Sequence, residues 1–268
     1  MSVNLNTLLL LDALAPCGVV LPIEVSAALD TSLGLKQREL GVKQFVLWGR
    51  LSTLSGADYY VARAFNGARV VDGKIAGNAG NKFYYSQDGV SWLDLEPVPA
   101  GSKAPQLDCW LSGDPSHQFT VYEEQPLPAP PPAVEGEAAP PAPEPLPPLE
   151  HPVSELAYMM HTINGINAET GCSPVGMIIQ DADGNFVANP LFSMKYPDQL
   201  SSYRGLGGNL GAAVPGSWGI VHDSFKNLTT LRSFLYPGFF AYYSGKSNDM
   251  GNLYFGTGLK NKDLAFTV

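Results

Sequence analysis

The glycine-rich run at residues 205–211 is the part of this 268-residue sequence that comes nearest to a cofactor site. A dinucleotide-binding loop has the pattern GxGxxG between a strand and a helix, because its glycines let the pyrophosphate approach the backbone. Leu210 stands where the last glycine of that pattern is required. No GxxxxGK[ST] phosphate-binding loop occurs elsewhere in the sequence. We therefore expect no nucleotide cofactor.

A second candidate is the acidic run Asp181, Asp183 and Gly184, which begins like a calcium-binding EF-hand loop. The twelfth position of that loop needs a bidentate Glu, and Phe192 occupies it. The neighbouring residues favour strands, whereas an EF-hand loop lies between two helices. A hairpin turn therefore explains this run better than a calcium site.

Histidine and cysteine side chains do not fall at the spacings that bind metals or form a dithiol redox pair. No histidine has another at ligand spacing, and no CxxC pair occurs. The histidines are His117, His151, His161 and His222, and the cysteines are Cys17, Cys109 and Cys172. We expect no metal site and three free thiols in a reducing compartment.

Nucleophilic catalysis by a Ser-His-Asp triad stays open, because the members of a triad can be distant in the chain. No GxSxG motif supports one. The sequence therefore identifies no catalytic, cofactor-binding or metal-binding residue. A hydrolase remains an alternative that would need a polar cluster in a deep pocket.

The charge distribution excludes two classes of partner. The formal net charge is −9, but six glutamates and no Lys or Arg lie between residues 121 and 152, which leaves −3 for the rest. Such a chain lacks the basic surface that binds nucleic acid. No apolar run reaches the roughly 20 residues of a membrane span. The leucines at 8–11 lack a preceding basic region, so they predict a short helix and not a secretory signal.

Hydrophobic periodicity and turn residues predict a chain that consists mostly of strands. Helices are predicted over 6–14, 22–38 and 153–165. Strands are predicted over 42–54, 58–65, 82–87, 90–95, 107–112, 118–122, 175–180, 186–188, 218–222, 228–235, 239–243 and 253–256, with loops over 66–80 and 205–216. Strands that follow strands without intervening helices favour antiparallel sheets.

These elements predict an α+β fold. N-terminal helices precede an antiparallel sheet, and one further helix precedes a C-terminal antiparallel sheet, with a disordered proline-rich loop between them. The predicted division is an N-terminal half at 1–122, a Pro/Ala/Glu-rich spacer at 123–152 and a C-terminal half at 153–268, the two halves packing as one unit. The spacer holds twelve of the 23 prolines, which favours an extended polyproline conformation. A solvated spacer is the favoured interpretation, and a ligand for SH3-type domains at residues 128–131 is the alternative.

Paired aromatic residues on the predicted strands raise the question of an interface. Adjacent residues such as Tyr59 and Tyr60 point to opposite faces of a strand. One of each pair can enter a core, and the other is exposed unless a second layer or a partner covers it. The rest of the chain could cover both faces of these strands, or one face could remain exposed as an interface. The pattern is equally compatible with the two interpretations.

Several runs in these strands and turns also resemble a known family in their order along the chain. They are FVLWGR at 45–50, ADYYVA at 57–62, GDPS at 113–116, GSW at 216–218, LRSFLYPG at 231–238, YFGTG at 254–258 followed by KN at 260–261, and DLAF at 263–266. Together they resemble the radial spoke head protein 9 family of motile cilia, which is distantly similar to radial spoke head proteins 4 and 6.

The resemblance implies a structural subunit without catalysis, located in the axoneme of a cilium or flagellum as part of the cytoplasmic cytoskeleton. It implies as partners the other radial spoke head proteins, especially the relatives of proteins 4 and 6, and an indirect contact with central pair projections that regulates dynein-driven beating. It implies no cofactor, no nucleic acid and no membrane.

Six residues of these runs and their neighbours are expected to shape the core or the contact with the spoke-head relatives. They are Trp48, Arg50, Tyr59, Tyr60, Arg232 and Tyr236. The alternative function is a cytosolic peptide-binding adaptor that uses an aromatic sheet surface or the proline-rich segment.

Overall fold

The computed structural model describes residues 14–42, 44–65, 69–71, 74–76, 82–123, 147–180 and 186–264. Two α-helices occur in these ranges, α1 (Ile23–Leu40) and α2 (Glu155–Thr170). The strands are β1 (Gln44–Leu51), β2 (Tyr59–Phe65), β3 (Arg69–Val71), β4 (Lys74–Ala76), β5 (Lys82–Ser86), β6 (Leu93–Leu95), β7 (Gln118–Glu123), β8 (Leu149–Ser154), β9 (Cys172–Pro174), β10 (Ile178–Gln180), β11 (Phe186–Ala188), β12 (Tyr203–Gly205), β13 (Gly208–Asn209), β14 (Trp218–Asp223), β15 (Leu228–Ser233), β16 (Phe239–Ser244) and β17 (Asp249–Gly256). Helices combined with mostly antiparallel strands confirm the predicted α+β class.

Three predicted elements differ from the structure or lie outside it. The helix predicted over 6–14 lies outside the described residues except for its last residue. The loop predicted over 66–80 contains the antiparallel pair of β3 and β4, and its other residues lie outside the described ranges. The strand predicted over 107–112 has no ladder partner, because only Leu111 and Ser112 bond to the backbone of the segment after β1.

One eight-stranded sheet lies at the centre, in the order β14-β15-β16-β17-β1-β2-β5-β6. The sequence predicts two antiparallel sheets, whereas the structure joins them through one parallel pair, β1 with β17. Both strands are buried on both faces in their middle residues, which is typical of central strands. Strands from the two ends of the chain therefore share one hydrogen-bonded sheet.

Gly49 makes the close approach of β1 and β17 possible. A β-bulge interrupts the pairing of β1 with β2 between Leu47 and Gly49, and Gly49 lies opposite Tyr254 of β17. A Cβ atom on Gly49 would lie 2.1 Å from the backbone oxygen of Tyr254. Only glycine leaves room for this junction.

Each helix covers one face of the sheet. Met159, Ile163 and Ile166 recur along one side of α2, and they pack against the face that carries Tyr59 and Tyr243. On the opposite face, α1 packs against a separate cluster. That cluster includes Leu29, Leu33, Phe45, Leu47, Tyr84, Trp92, Tyr242 and Leu253. The fold therefore has three layers, with a core on either side of the sheet.

The aromatic pairs divide between these two cores. Tyr85 and Tyr243 lie in the α2 core, and their neighbours Tyr84 and Tyr242 lie in the α1 core. All four side chains are at most 7% exposed. For these pairs, both faces of the strand are covered within the chain.

The last residues of the predicted spacer, 149–152, belong to a strand. Strand β8 begins at Leu149, inside the range 123–152, and pairs antiparallel with β7 over six residues. Pro152 is accommodated because this two-stranded sheet has only edge strands. The residues at 124–146 lie outside the described ranges. The proline-rich segment therefore connects two paired strands.

Shortening this connection is expected to stabilise the fold. Glu123 pairs with Leu149, so 25 residues at 124–148 close the β7–β8 pair. A five-residue Gly/Ser replacement lowers the entropy cost of closing the loop by roughly 1.4 kcal/mol. Urea unfolding should show an increase in stability of about that size. A loss of more than about 1 kcal/mol would show that the segment makes stabilising contacts of its own.

The turn after β5 is longer than the two residues, 88 and 89, that separate the predicted strands 82–87 and 90–95, because β6 begins only at Leu93. The Asp88 carboxylate accepts hydrogen bonds from the Ser91 N–H at 2.8 Å, the Ser86 hydroxyl at 2.7 Å and the Val90 N–H at 2.9 Å. These bonds hold the pKa of Asp88 far below its ordinary value. Asp88 therefore organises a longer loop as an anion.

Replacing Asp88 by Asn is expected to lower stability at neutral pH and to change the response to acid. Because the folded-state pKa is lowered, the carboxylate stabilises the fold above its unfolded pKa of about 3.9, and this contribution is lost as the pH falls further. The difference in urea midpoint between wild type and D88N should shrink progressively below pH of about 4. A difference in urea midpoint that is the same at neutral pH and well below pH of about 4 would contradict this role.

Candidate functional site

Side chains that could support chemistry are dispersed in the structure. In the described ranges, no three residues among His, Cys, Asp and Glu are placed to hold a metal ion. The His117 ring packs against Phe119, and His222 Nδ1 lies 2.9 Å from Thr229 Oγ1. No helix of the described part is long and apolar enough to cross a membrane.

The glycine-rich run forms a small hairpin and not a cofactor loop. Strands β12 and β13 pair antiparallel around residues 206–207, and a short 3₁₀ turn, Leu210–Ala212, follows. A strand-loop-helix unit, which a dinucleotide site needs, is not built by these residues. The hairpin turn predicted at Asp181 to Gly184 lies outside the described residues, between the paired strands β10 and β11.

The three cysteines are unpaired and half-buried, as expected for free thiols. Burial raises the pKa of the Cys172 thiol to about 12. Thiolates are the reactive form of cysteine, so this residue is inert at neutral pH.

The six residues singled out in the sequence fall into two groups. Trp48, Tyr59 and Tyr236 are at most 6% exposed and belong to the core under α2. The Trp48 indole N–H donates to Asn167 Oδ1 of α2 at 2.8 Å. Arg50, Tyr60 and Arg232 are half-buried and lie on the opposite face of the sheet. The first group holds the helix on the sheet, and the second is only partly covered by the rest of the described chain.

The Tyr59 hydroxyl contacts a buried carboxylate, that of Glu155, whose burial is not evident from the sequence. The Glu155 side chain is fully buried at the start of α2 and accepts a hydrogen bond from the Tyr59 hydroxyl at 3.0 Å. It also accepts from the Gly113 N–H at 2.9 Å and from the Ser112 hydroxyl. Burial and the adjacent carboxylate raise the pKa of Tyr59 far above its ordinary value, so the phenol stays protonated and donates.

This cluster fastens one loop to both the sheet and α2. The Glu155 N–H donates to the His117 carbonyl at 3.0 Å, at the other end of residues 113–116. A Cβ atom on Gly113, whose φ is +95°, would lie 2.2 Å from the Ser55 hydroxyl. The loop that carries the GDPS run is therefore positioned by a buried acceptor and by a glycine that other residues cannot replace.

A second polar cluster surrounds Tyr236. Burial, followed by the Glu169 carboxylate, raises the pKa of Tyr236 above its ordinary value. Glu169 also forms a salt bridge with Lys260 at 2.6 Å. Nearby, a small cavity of about 100 Å³ is lined in part by Tyr158, His161 and Lys260. It is far smaller than the roughly 300–1,000 Å³ of a small-molecule site, so these contacts serve to hold the C-terminal segment on α2.

The face that carries Arg50, Tyr60 and Arg232 is covered unevenly. Leu14, Val19 and α1 pack over its middle and over β1, β2 and β5. Towards β14 the side chains become exposed, and Val221 is 55% and Phe234 41% exposed. We call this part the open half-face. Its members are the exposed Val221 and Phe234 and the half-buried Arg232. It is bordered by four half-buried residues, Arg50, Tyr60, Phe240 and Phe255, of which the three aromatic ones also pack against the α1 cluster.

The strand register places five of these side chains in two short rows. Phe255 lies opposite Arg50, and Arg50 lies opposite Tyr60 on the next strand. Arg232 lies opposite Phe240. The Arg50 guanidinium lies over the Phe255 ring, 5.4 Å from its centre, and forms a salt bridge with Asp58 at 3.5 Å. Half-buried Arg beside aromatic side chains is typical of the centres of protein interfaces.

Comparison with known proteins tests the resemblance over the whole chain. No family model matches the sequence. Radial spoke head protein 9 homolog of Xenopus tropicalis is 26% identical over 96% of this chain and 97% of its own length. The homologs of Bos taurus and Homo sapiens are each 26% identical over 98% of this chain and 99% of their own lengths. Over nearly its whole length, the chain is therefore similar to radial spoke head protein 9.

The similarity to these homologs supports a structural role in the radial spoke head and a location in the axoneme of a cilium or flagellum. Glu155 is the residue that sequence reasoning missed. The only signal was Ser154-Glu155, which predicts a helix start with an acidic first turn. Such acids are ordinarily exposed, so burial could not be inferred.

Proposed function

We propose that the chain is a non-catalytic subunit that binds other radial spoke head proteins, especially relatives of proteins 4 and 6, through the open half-face. In this role it helps to relay contact from the central pair that regulates dynein-driven beating. The observation that carries the proposal is the presence of half-buried Arg and aromatic side chains, in two rows, on a face of the sheet that α1 covers only in part. Similarity to radial spoke head protein 9 homologs supports the choice of other spoke-head proteins as partners.

The mechanical part of the proposal follows from the sheet. Antiparallel ladders resist force well because several hydrogen bonds bear the load together. Strands β14 to β17 form such ladders with six paired residues in each. Helix α2 is fixed to the sheet by the Trp48, Glu155 and Tyr236 contacts. A force applied by a partner on the open half-face would therefore be borne by the sheet and α2 together.

Reversing the charge of Arg232 is expected to weaken partner binding without unfolding the protein. Arg232 is half-buried, and a glutamate there would oppose any acidic group that pairs with it. In ciliated cells that lack the protein, tagged R232E should recover spoke-head proteins from salt-extracted axonemes at least about tenfold less well than wild type. The readout is quantitative immunoprecipitation, with the urea midpoint of the purified variant unchanged.

Lys246→Glu is the matched control, because Lys246 is an exposed cation in the turn between β16 and β17, outside the open half-face. K246E should recover partners as wild type does. Equal recovery by R232E would rule out this surface. Recovery of the wild-type protein only from a soluble cytosolic pool would rule out the spoke-head role and favour an adaptor.

A further inference from the structure

The edge of the central sheet at β14 is poorly protected against pairing with another strand. The opposite edge, β6, has only three residues and is followed by Glu96 and Pro97. Short strands, charges and prolines are the devices that protect edges. Strand β14 has six residues in register with β15, without a bulge, a proline or a lysine.

Hydrogen bonding shows which backbone groups of β14 are available. The Phe234 N–H donates to the Ser217 carbonyl at 2.9 Å. In an antiparallel pair with unbroken register, ladder bonds use every second residue. The groups that point away from β15 therefore belong to Trp218, Ile220 and His222. In the described part of the chain, their N–H and C=O groups have no hydrogen-bond partner.

We propose that β14 pairs antiparallel with β14 of a second copy of this chain, about a two-fold axis at Ile220. In this register Ile220 lies opposite its own copy, and Trp218 lies opposite His222. All the outward backbone groups of both copies are then satisfied, with two hydrogen bonds for each of three pairs. A shift of two residues in either direction leaves some of these groups unpaired.

Side chains fit the same register. Trp218 and Ile220 pack partly against the α2 core, so pairing extends an apolar surface across the axis. On the other face, Gly219 of one copy lies opposite Val221 of the other, which places a small residue against a larger one. No like charges meet, because the two Arg232 side chains stay about 15 Å apart at ordinary strand spacings.

This complementarity favours a second copy over an unrelated strand. Any extended strand can satisfy the outward backbone groups, but the two-fold register also provides the Gly219–Val221 fit and keeps like charges apart. The dimer joins the two sheets edge to edge and brings the two open half-faces side by side. The proposal concerns the isolated protein and does not depend on the spoke-head role.

Sedimentation equilibrium of the purified full chain tests the proposal. Wild type should shift from 28.7 kDa to twice that mass as concentration rises. Ile220→Pro removes an outward N–H and no bond to β15, and it should raise the dissociation constant at least tenfold. Val221→Lys adds a charge at the edge through an exposed side chain, and it should act in the same direction if I220P fails to fold.

Leu93→Lys is the matched control, since Leu93 is 57% exposed on the opposite edge. L93K should dimerise as wild type does. The proposal is overturned if the wild-type protein remains monomeric up to about 100 µM. This holds even if substitutions in β14 weaken binding to another spoke-head protein, because that result would indicate a different partner at this edge. A dimer that L93K weakens and V221K leaves intact also overturns it.

Discussion

Replacing Glu155 by Ala should lower the free energy of unfolding by about 3–4 kcal/mol, because it removes the acceptor of three hydrogen bonds in a buried site. The Tyr59 hydroxyl and the Gly113 N–H would then be buried without partners. Glu155→Gln keeps the shape of the side chain and should cost less, which provides a variant that still folds. Urea unfolding followed by circular dichroism measures both.

Two further variants separate the hydrogen bonds from the general effect of losing an acid in a first helical turn. Tyr59→Phe removes one donor and should cost about 1–2 kcal/mol. Glu24→Ala removes an exposed acid from the first turn of α1 and should cost no more than about 1 kcal/mol. Equal losses for E24A and E155A would show that the buried cluster does not hold the loop at 113–116 in place.

Replacing Gly49 by Ala should have the second large effect. The added methyl group would lie 2.1 Å from the Tyr254 carbonyl oxygen, a backbone atom that cannot rotate away. Relief requires β1 and β17 to separate at the parallel pair that joins strands of both halves. We expect a loss of about 3 kcal/mol, at the upper end of the cost of overpacking.

Gly34→Ala is the matched control, because Gly34 is exposed in α1 and a Cβ atom there meets nothing within 4 Å. Alanine favours helix, so G34A should stabilise the protein by about 0.5–1 kcal/mol. The two Gly-to-Ala changes are therefore expected to have opposite signs. A Gly49 variant as stable as wild type would mean that the junction adjusts without loss.

Local patterns predicted much of the secondary structure. The apolar spacing of Met159, Ile163 and the residues around them predicts α2, and these side chains are buried. Its end was predicted too early, at Gly165, because this glycine lies within the helix, which continues to Thr170. Strands β14 to β17 match their predictions within a few residues because Gly, Pro and Asn mark their ends.

Long-range features were not predictable from local patterns. The parallel pairing of β1 with β17 joins residues about 200 positions apart, and alternation along a strand does not identify its neighbour. Burial of Glu155 depends on Tyr59, Ser112 and Gly113, which come from two distant segments. The separation of Trp48 and Tyr59 from Arg50 and Tyr60 follows from strand alternation, but which face stays open depends on where α1 and residues 14–22 pack.

Site-specific photo-cross-linking in isolated axonemes tests the central claim most directly. A photoreactive amino acid is placed at Arg232, on the open half-face, and in a second strain at Lys246. We expect position 232 to cross-link to another radial spoke head protein and position 246 not to do so. Cross-links to such a protein from 246 and none from 232, or absence of the protein from washed axonemes, would contradict it.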